Sequence, residues 1–149
     1  MQAYKQAKFL NAGLLVLRVG IGLFFLGHGV PKLLAGPERW GQLGQAMGLI
    51  GITFLPGLWG FMAAISEALG GLLLIAGFLV RPTAALMFAT MLLAAVQHLS
   101  NGHGFGPFSH PGKMAVVFIA LIITGGGAYS IELLLRKNPT QAEPAQVHR

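Results

Sequence analysis

Residues 10–34 of the chain read LNAGLLVLRVGIGLFFLGHGVPKLL, and this stretch decides the fold. It exceeds the roughly 20 mostly apolar residues that a helix needs to cross a bilayer. Three further stretches, 58–79, 83–99 and 113–135, are apolar over comparable lengths. The sequence therefore predicts an all-α integral membrane protein, a four-transmembrane-helix bundle formed by one domain over residues 1–137.

The composition supports a membrane protein and argues against a nucleic-acid-binding one. Hydrophobic residues make up 54% of the 149-residue chain and charged residues only 9%, whereas a soluble domain carries about 25% charged residues. The formal net charge is +6, but the basic residues stand singly or in pairs at the ends of apolar stretches and form no basic stripe. We therefore expect a lipid bilayer and no nucleic acid among the partners.

The chain contains no cysteine, which excludes disulfides, CxxC redox chemistry and thiolate metal sites. It also lacks the glycine fingerprint of dinucleotide-binding proteins and any haem-attachment or cluster motif. A redox role would depend on a bound quinone, another cofactor or a redox partner protein. The sequence leaves the identity of the cofactor open. The glycine-rich helix faces are compatible with a homodimer.

The distribution of basic residues predicts the orientation of the four spans. An even number of spans places both termini on one side of the membrane. Six basic residues fall on that side and three on the other, which predicts cytoplasmic termini in a bacterial inner (plasma) membrane. The six are Lys5, Lys8, Arg81, Arg136, Lys137 and Arg149, and the three are Lys32, Arg39 and Lys113.

The connections differ in length and character. Residues 35–57 contain Trp40 and Met47 and are predicted to hold a short interfacial helix, since tryptophan prefers the headgroup level. Residues 100–112 are rich in glycine and proline and are predicted to form a loop. The polar tail, residues 138–149, is predicted to be disordered. Gly125, Gly126 and Gly127 are predicted to lie inside the fourth helix.

Ionisable side chains inside the spans are costly and normally face the bundle interior. Counting about 1.5 Å per residue from the predicted helix ends places Arg18 and Glu67 at similar depths. The sequence thus predicts an Arg18–Glu67 ion pair near the midplane. Such a pair could hold a polar ligand, with Glu67 exchanging protons, or it could simply join two helices.

His28, Lys32, Gln97 and His98 are predicted to lie in the outer half of the bundle. Histidine titrates near neutral pH, so His28 and His98 are candidate proton donors, although each could instead be an interfacial residue bonded to a loop carbonyl. His98, His103 and His110 are separated by five and seven residues. Because helical metal pairs usually lie three or four residues apart, we predict no metal site.

Two of these stretches resemble the DoxX family of small membrane proteins. The stretch from Leu17 to Leu33 shows an arginine, a glycine-rich segment, then His-Gly and Lys-Leu; the stretch from Glu67 to Arg81 is similar to the second helix of that family. The likeness extends over roughly residues 10–135. It implies a four-helix inner-membrane protein. Its recurrent polar positions are matched here by Arg18, His28, Lys32, Glu67 and His98.

The family resemblance implies a link to membrane oxidoreductases, including thiosulfate:quinone oxidoreductase, while related branches act in maturation or trafficking. We therefore expect a membrane subunit or small enzyme of an oxidoreductase system that handles a quinone-like or small aromatic molecule in a polar cavity of the outer bundle half. The candidate catalytic residues are Glu67, His28 and His98, and the candidate substrate-binding residues are Arg18, Lys32 and Gln97. The alternatives are a non-catalytic scaffold or assembly factor and a transporter of protons or small molecules.

Overall fold

A computed structural model describes residues 2–136 of the chain, and these residues form helices joined by short turns. The helices are α1 (Gln2–Leu34), α2 (Pro37–Gly44), α3 (Pro56–Ala76), α4 (Val80–Ser100), α5 (Phe105–Thr124) and α6 (Ile131–Arg136). A 3₁₀ segment, Gln45–Ile50, continues from α2 toward α3. The predicted disordered tail, residues 138–149, lies outside the described residues.

Among the described residues, four helices are long and apolar enough to cross a membrane. They are α1, α3, α4 and α5, which confirms the predicted all-α fold with four spans. The bundle interior contains Leu74, Met87, Phe118 and Leu121, all without exposed surface. The rings of Phe25 and Phe118 meet edge to face, with centroids 5.1 Å apart, so α1 and α5 also pack together in the core.

Glycines bring α1 and α3 into backbone contact. A β-carbon on Gly22 would lie 2.6 Å from the carbonyl oxygen of Gly71, and one on Gly71 would lie 2.7 Å from that of Gly22. A β-carbon on Gly29 would collide with the backbone of Ala68. Small residues permit this close approach of helices in lipid. As a result, the end of α1 that carries Lys32 lies against the middle of α3.

Helix α2 and the 3₁₀ segment form a cap that packs on the first half of α3. A β-carbon on Gly44 would collide with Pro56, and one on Gly60 would collide with the backbone of Trp40. The Trp40 ring meets that of Phe61 edge to face at 4.9 Å. A short helix in the first long connection is therefore confirmed, while its depth in the interface stays a prediction.

The predicted boundaries of the fourth span were wrong at both ends. Helix α5 begins at Phe105, so most of the predicted loop 100–112 is helical. Pro107 lies in the first turn, where its missing N–H costs nothing. The helix ends at Thr124, because Gly125 and Gly127 adopt φ values of 72° and 71° that leave the right-handed helix. The triple glycine is thus a turn leading to α6 and not a helix interior.

Candidate functional site

The described residues contain a partly buried ion pair between α1 and α3. The Lys32 ammonium donates hydrogen bonds to both carboxylate oxygens of Glu67, with Nζ···O distances of 2.7 and 2.6 Å. The Glu67 side chain is 5% exposed and that of Lys32 is 31% exposed. A carboxylate so removed from water needs a partner charge, and Lys32 supplies it from the adjacent helix.

Lys32 and Glu67 lie in the wall of a cavity of about 280 Å³ between the cap, α3 and α4. The rest of the lining is largely apolar, with Gln97 and Thr90 as its other polar members. Small-molecule sites typically combine an apolar wall with a few convergent polar groups. The remaining lining residues are Leu43, Gly44, Ala46, Met47, Trp59, Met62, Ala63, Leu86, Ala89, Leu93 and Ala94.

Helix α4 contributes one continuous face to this cavity. The face consists of residues spaced by three or four positions along the helix, which is the spacing of one helical stripe. Its members are Leu86, Ala89, Thr90, Leu93, Ala94 and Gln97. The Thr90 hydroxyl donates to the Ser66 hydroxyl at 3.3 Å, so α3 and α4 are joined beside Glu67.

The cap closes one end of the cavity. Gly44 and Ala46 of the cap are buried, and Leu43 and Met47 of the cap line the cavity. The Trp40 indole N–H donates to the carbonyl oxygen of Lys32 at 3.0 Å. The cap is therefore bonded to the same residue that holds Glu67, and the two features form one structural unit.

The predicted Arg18–Glu67 ion pair was wrong. Arg18 is fully buried, but its guanidinium donates to the backbone carbonyls of Leu74 and Tyr129, both at 2.9 Å. Glu67 is level with Gly29, which is eleven residues beyond Arg18, or about 16 Å along a helix. The predicted depths were wrong because they assumed that α1 and α3 end at the same level, whereas Gly29, five residues before the end of α1, lies beside Glu67, eleven residues into α3.

Arg18 instead closes the C-terminal end of α3. Leu74 lies in the last turn of that helix, whose carbonyls have no partners within the helix and carry partial negative charge. Gly77 ends the helix with φ 71°, and a β-carbon there would collide with the Arg18 guanidinium. Arg18 thus joins α1, α3 and the turn before α6, at the end of the bundle opposite the cap.

The two candidate histidines lie near the capped end but do not line the cavity. His28 is exposed and its ring meets that of His110, with centroids 6.3 Å apart. His98 pairs with His103 through their Nδ1 atoms at 2.9 Å. The structure therefore brings Lys32, Glu67 and Gln97 together, and it places His28 and His98 outside this group. Within residues 2–136, no three His, Cys, Asp or Glu side chains cluster as metal ligands would.

Sequence reasoning missed most of the cavity wall. Met47, Trp59 and Met62 belong to it but carry no chemistry that a motif would reveal. The stripe on α4 was recognisable in principle, because its small and weakly polar members, Ala89, Thr90 and Ala94, interrupt the larger apolar residues at helical spacing. The cap could not be recognised, since its position depends on close contacts at Gly44 and Gly60.

A second cavity, of about 290 Å³, lies at the opposite end of the bundle, where α5 turns into α6. Its wall includes Arg81, Glu132 and the triple-glycine turn. Arg81 lies 3.4 Å from the carbonyl oxygen of Ile123, in the last turn of α5. Arg81 thus gives a hydrogen-bond donor to a carbonyl group that the end of α5 leaves without a partner in the helix. The wall of this cavity offers little apolar surface against which a ring could pack.

Comparison with known proteins agrees with the fold. Residues 13–99 match the DoxX family. The chain is 33% identical over 133 residues to inner membrane protein YqjF of Escherichia coli K12, covering 87% of this chain and 97% of YqjF. It is 31% identical over 127 residues to inner membrane protein YphA of the same organism, covering 80% and 87% of the two chains. No solved structure shows a significant match. The chain is therefore a membrane protein of the DoxX family, a family associated with membrane-linked oxidoreductase-like roles.

Proposed function

We propose that this protein is a membrane subunit of an oxidoreductase system and binds a quinone-like ring in the cavity between the cap, α3 and α4. The observation that carries this proposal is the Lys32–Glu67 ion pair in the wall of an otherwise apolar cavity. A ring with oxygen substituents matches both parts of such a wall, because its faces are apolar and its oxygens accept or donate hydrogen bonds.

Lys32 is the group that would bind a ring oxygen. An ammonium has three N–H donors, and two of those on Lys32 are directed at the carboxylate of Glu67. The third is available for a ligand carbonyl oxygen. As such an oxygen gains electrons it becomes negative, and a fixed ammonium in an apolar cavity stabilises that charge more than water would.

Glu67 would position Lys32 and balance its charge. Reduction of a quinone to a quinol takes up two electrons and two protons, and the sequence contains no motif for an electron-carrying cofactor. We therefore assign the electrons to a redox partner protein and the two protons to water. Gln97 offers a side-chain amide at the capped end of the cavity, where it could bond a second ring oxygen.

We further propose a location in a bacterial inner membrane with both termini in the cytoplasm. Both relatives carry the name inner membrane protein. The antiparallel spans place the start of α1 and the end of α5 together, since Asn11 accepts a hydrogen bond from the backbone N–H of Ala128 at 2.8 Å. The cap and the candidate site would then lie toward the periplasmic side.

The test is to purify the protein with its native lipid and identify the bound small molecules by mass spectrometry. We expect a quinone in the wild type, and about tenfold less of it per protein in Glu67→Gln and Lys32→Met variants. His98→Ala is the matched control, because His98 lies near the capped end but outside the cavity wall. All variants are first compared by thermal unfolding.

Equal quinone retention in the wild type and in both ion-pair variants would exclude the proposed site. Recovery of one stoichiometric partner protein without a ring compound would favour a scaffold or assembly factor instead.

A further inference from the structure

We infer that the ligand of this cavity is a tailed, membrane-resident ring molecule that enters sideways from the bilayer, with its tail leaving past Ala89 on α4. This inference rests on the proposed function and adds to it the class of ligand and its route of entry. A water-soluble aromatic molecule and a lipid-soluble one would both suit Lys32, and the shape and exposure of the cavity wall distinguish them.

The side of the cavity that faces the surface is apolar. Of the side chains that line it, Met62 and Leu86 are 42% and 55% exposed, and Ala89 is also exposed. All three belong to spans, Met62 to α3 and the other two to α4. The surface that they form therefore faces hydrocarbon, so an opening on this side of the cavity leads into the bilayer and not into water.

The depth of this opening agrees with a lateral route. Ala89 lies nine residues after Val80, where α4 begins, which is about 14 Å along the helix. The hydrocarbon core of a bilayer is about 30 Å thick. The opening is thus near the middle of the membrane, at the level of lipid tails.

The direct route from water is covered. The cap lies over the outer end of the cavity, with Gly44 and Ala46 buried in its contact with the bundle. Gly44 and Gly60 bring the cap and α3 into backbone contact. The Trp40–Lys32 hydrogen bond ties the cap to α1 as well. A ligand from water would have to lift this cap, whereas a ligand from lipid would only displace an acyl chain.

The volume of the cavity limits how much of a ligand it can enclose. A cavity of about 150 Å³ is enough for benzene. The volume here, about 280 Å³, accommodates one substituted ring and leaves no room for a long hydrocarbon chain. A tailed ligand would therefore bind with its ring beside Lys32 and Glu67 and its tail among the lipids.

The experiment measures binding of two probes to the full chain in lipid nanodiscs. The probes are dimethoxy-methyl-benzoquinone without a tail and its decyl derivative, with concentrations expressed per lipid. We expect Ala89→Phe to weaken binding of the decyl compound about tenfold and that of the tailless compound less than about twofold. Ala85→Phe is the matched control, since Ala85 is an exposed alanine one turn away on α4 that does not line the cavity.

A second variant guards against misfolding of Ala89→Phe. The chain has no cysteine, so Ala89→Cys provides a single thiol that can be blocked with a benzyl reagent after folding. The blocked protein should lose the decyl compound and keep the tailless one. The decyl compound, bound first, should slow the alkylation of Cys at this position but not that of an Ala85→Cys variant.

The possible failures separate the two proposals. If both probes bind and Glu67→Gln weakens both, but neither Ala89 variant affects the decyl compound, the lateral route is wrong and the ring site stands. If neither probe depends on Glu67 and lauric acid displaces both equally, the cavity holds lipid chains and both proposals fail.

Discussion

The Lys32 ammonium and the Glu67 carboxylate are joined by two hydrogen bonds of 2.7 and 2.6 Å, yet they differ sixfold in exposure, 31% against 5%. The lysine is the partner that can still reach water or a ligand, and the glutamate is the one that cannot. This asymmetry determines what each substitution should do to stability.

Removing the lysine should therefore cost more than removing the charge of the glutamate. Lys32→Met leaves a buried carboxylate without its partner, which typically costs about 3 kcal/mol or more. Glu67→Gln leaves an ammonium that can turn toward the surface, and the lost hydrogen bonds should cost about 1–2 kcal/mol. Thermal or denaturant unfolding in detergent checks the order. The double variant Lys32→Met/Glu67→Leu should be more stable than Lys32→Met alone, and the reverse result would show that the pair is not coupled.

Arg18 should act independently of Glu67. Arg18→Met removes two hydrogen bonds to the carbonyls of Leu74 and Tyr129, and bonds to a charged donor contribute about 1.5–3 kcal/mol each. The variant should be destabilised, but less than that sum, because burial of the guanidinium with an unbonded Nε is relieved at the same time. In a double-mutant cycle with Glu67→Gln the effects should add within about 0.5 kcal/mol. A larger coupling energy would indicate that Arg18 and Glu67 interact directly.

Gly27 and Gly29 of α1 are two residues apart, and substitution by alanine should change the stability of the protein differently at the two positions. Gly29→Ala places a methyl group against the backbone of Ala68, which should separate α1 from α3, destabilise the protein and pull Lys32 away from Glu67. Gly27→Ala meets no atom within 4 Å and should be neutral or stabilising by up to about 1 kcal/mol. Unfolding and quinone retention are measured together. Equal behaviour of the two variants would refute the close packing.

The orientation of the bundle is open to direct measurement. A cytoplasm-active fluorescent reporter fused after Arg149 should fluoresce, and a periplasm-active phosphatase at the same place should be inactive, because the basic residues favour cytoplasmic termini. Fusion after residue 102, in the turn between α4 and α5, should give the opposite pattern. The converse result at both sites would invert the proposed orientation.

The four spans were predictable because the cost of exposing polar backbone in lipid leaves helices as the solution for long apolar stretches. The residues at which the helices end were less predictable. Gly77 and Gly125 end α3 and α5 through positive φ values. Nothing in the amino-acid sequence distinguishes them from Gly22 and Gly29, which lie inside α1 and pack against α3. The register between helices was not predictable, and the failure of the Arg18–Glu67 pair follows directly from it.

The candidate site was predictable only in part. Lys32, Glu67 and Gln97 could be selected because charged and amide groups are rare in spans and normally face inward. Their grouping depends on Gly29, which sets the approach of α1 to α3, and on the cap, which folds back by contacts remote in sequence. His28 and His98 were selected by the same rule, but they lie near helix ends, where polar groups can point outward without cost.

The cap has a spectroscopic consequence. The chain contains two tryptophans, Trp40 and Trp59; the indole of the first is bonded to Lys32, and the second lines the cavity. The indole emission of this protein therefore originates from the cavity wall, at Trp59, and from the adjoining cap, at Trp40, so an unlabelled sample carries its own optical probe of whatever enters or leaves.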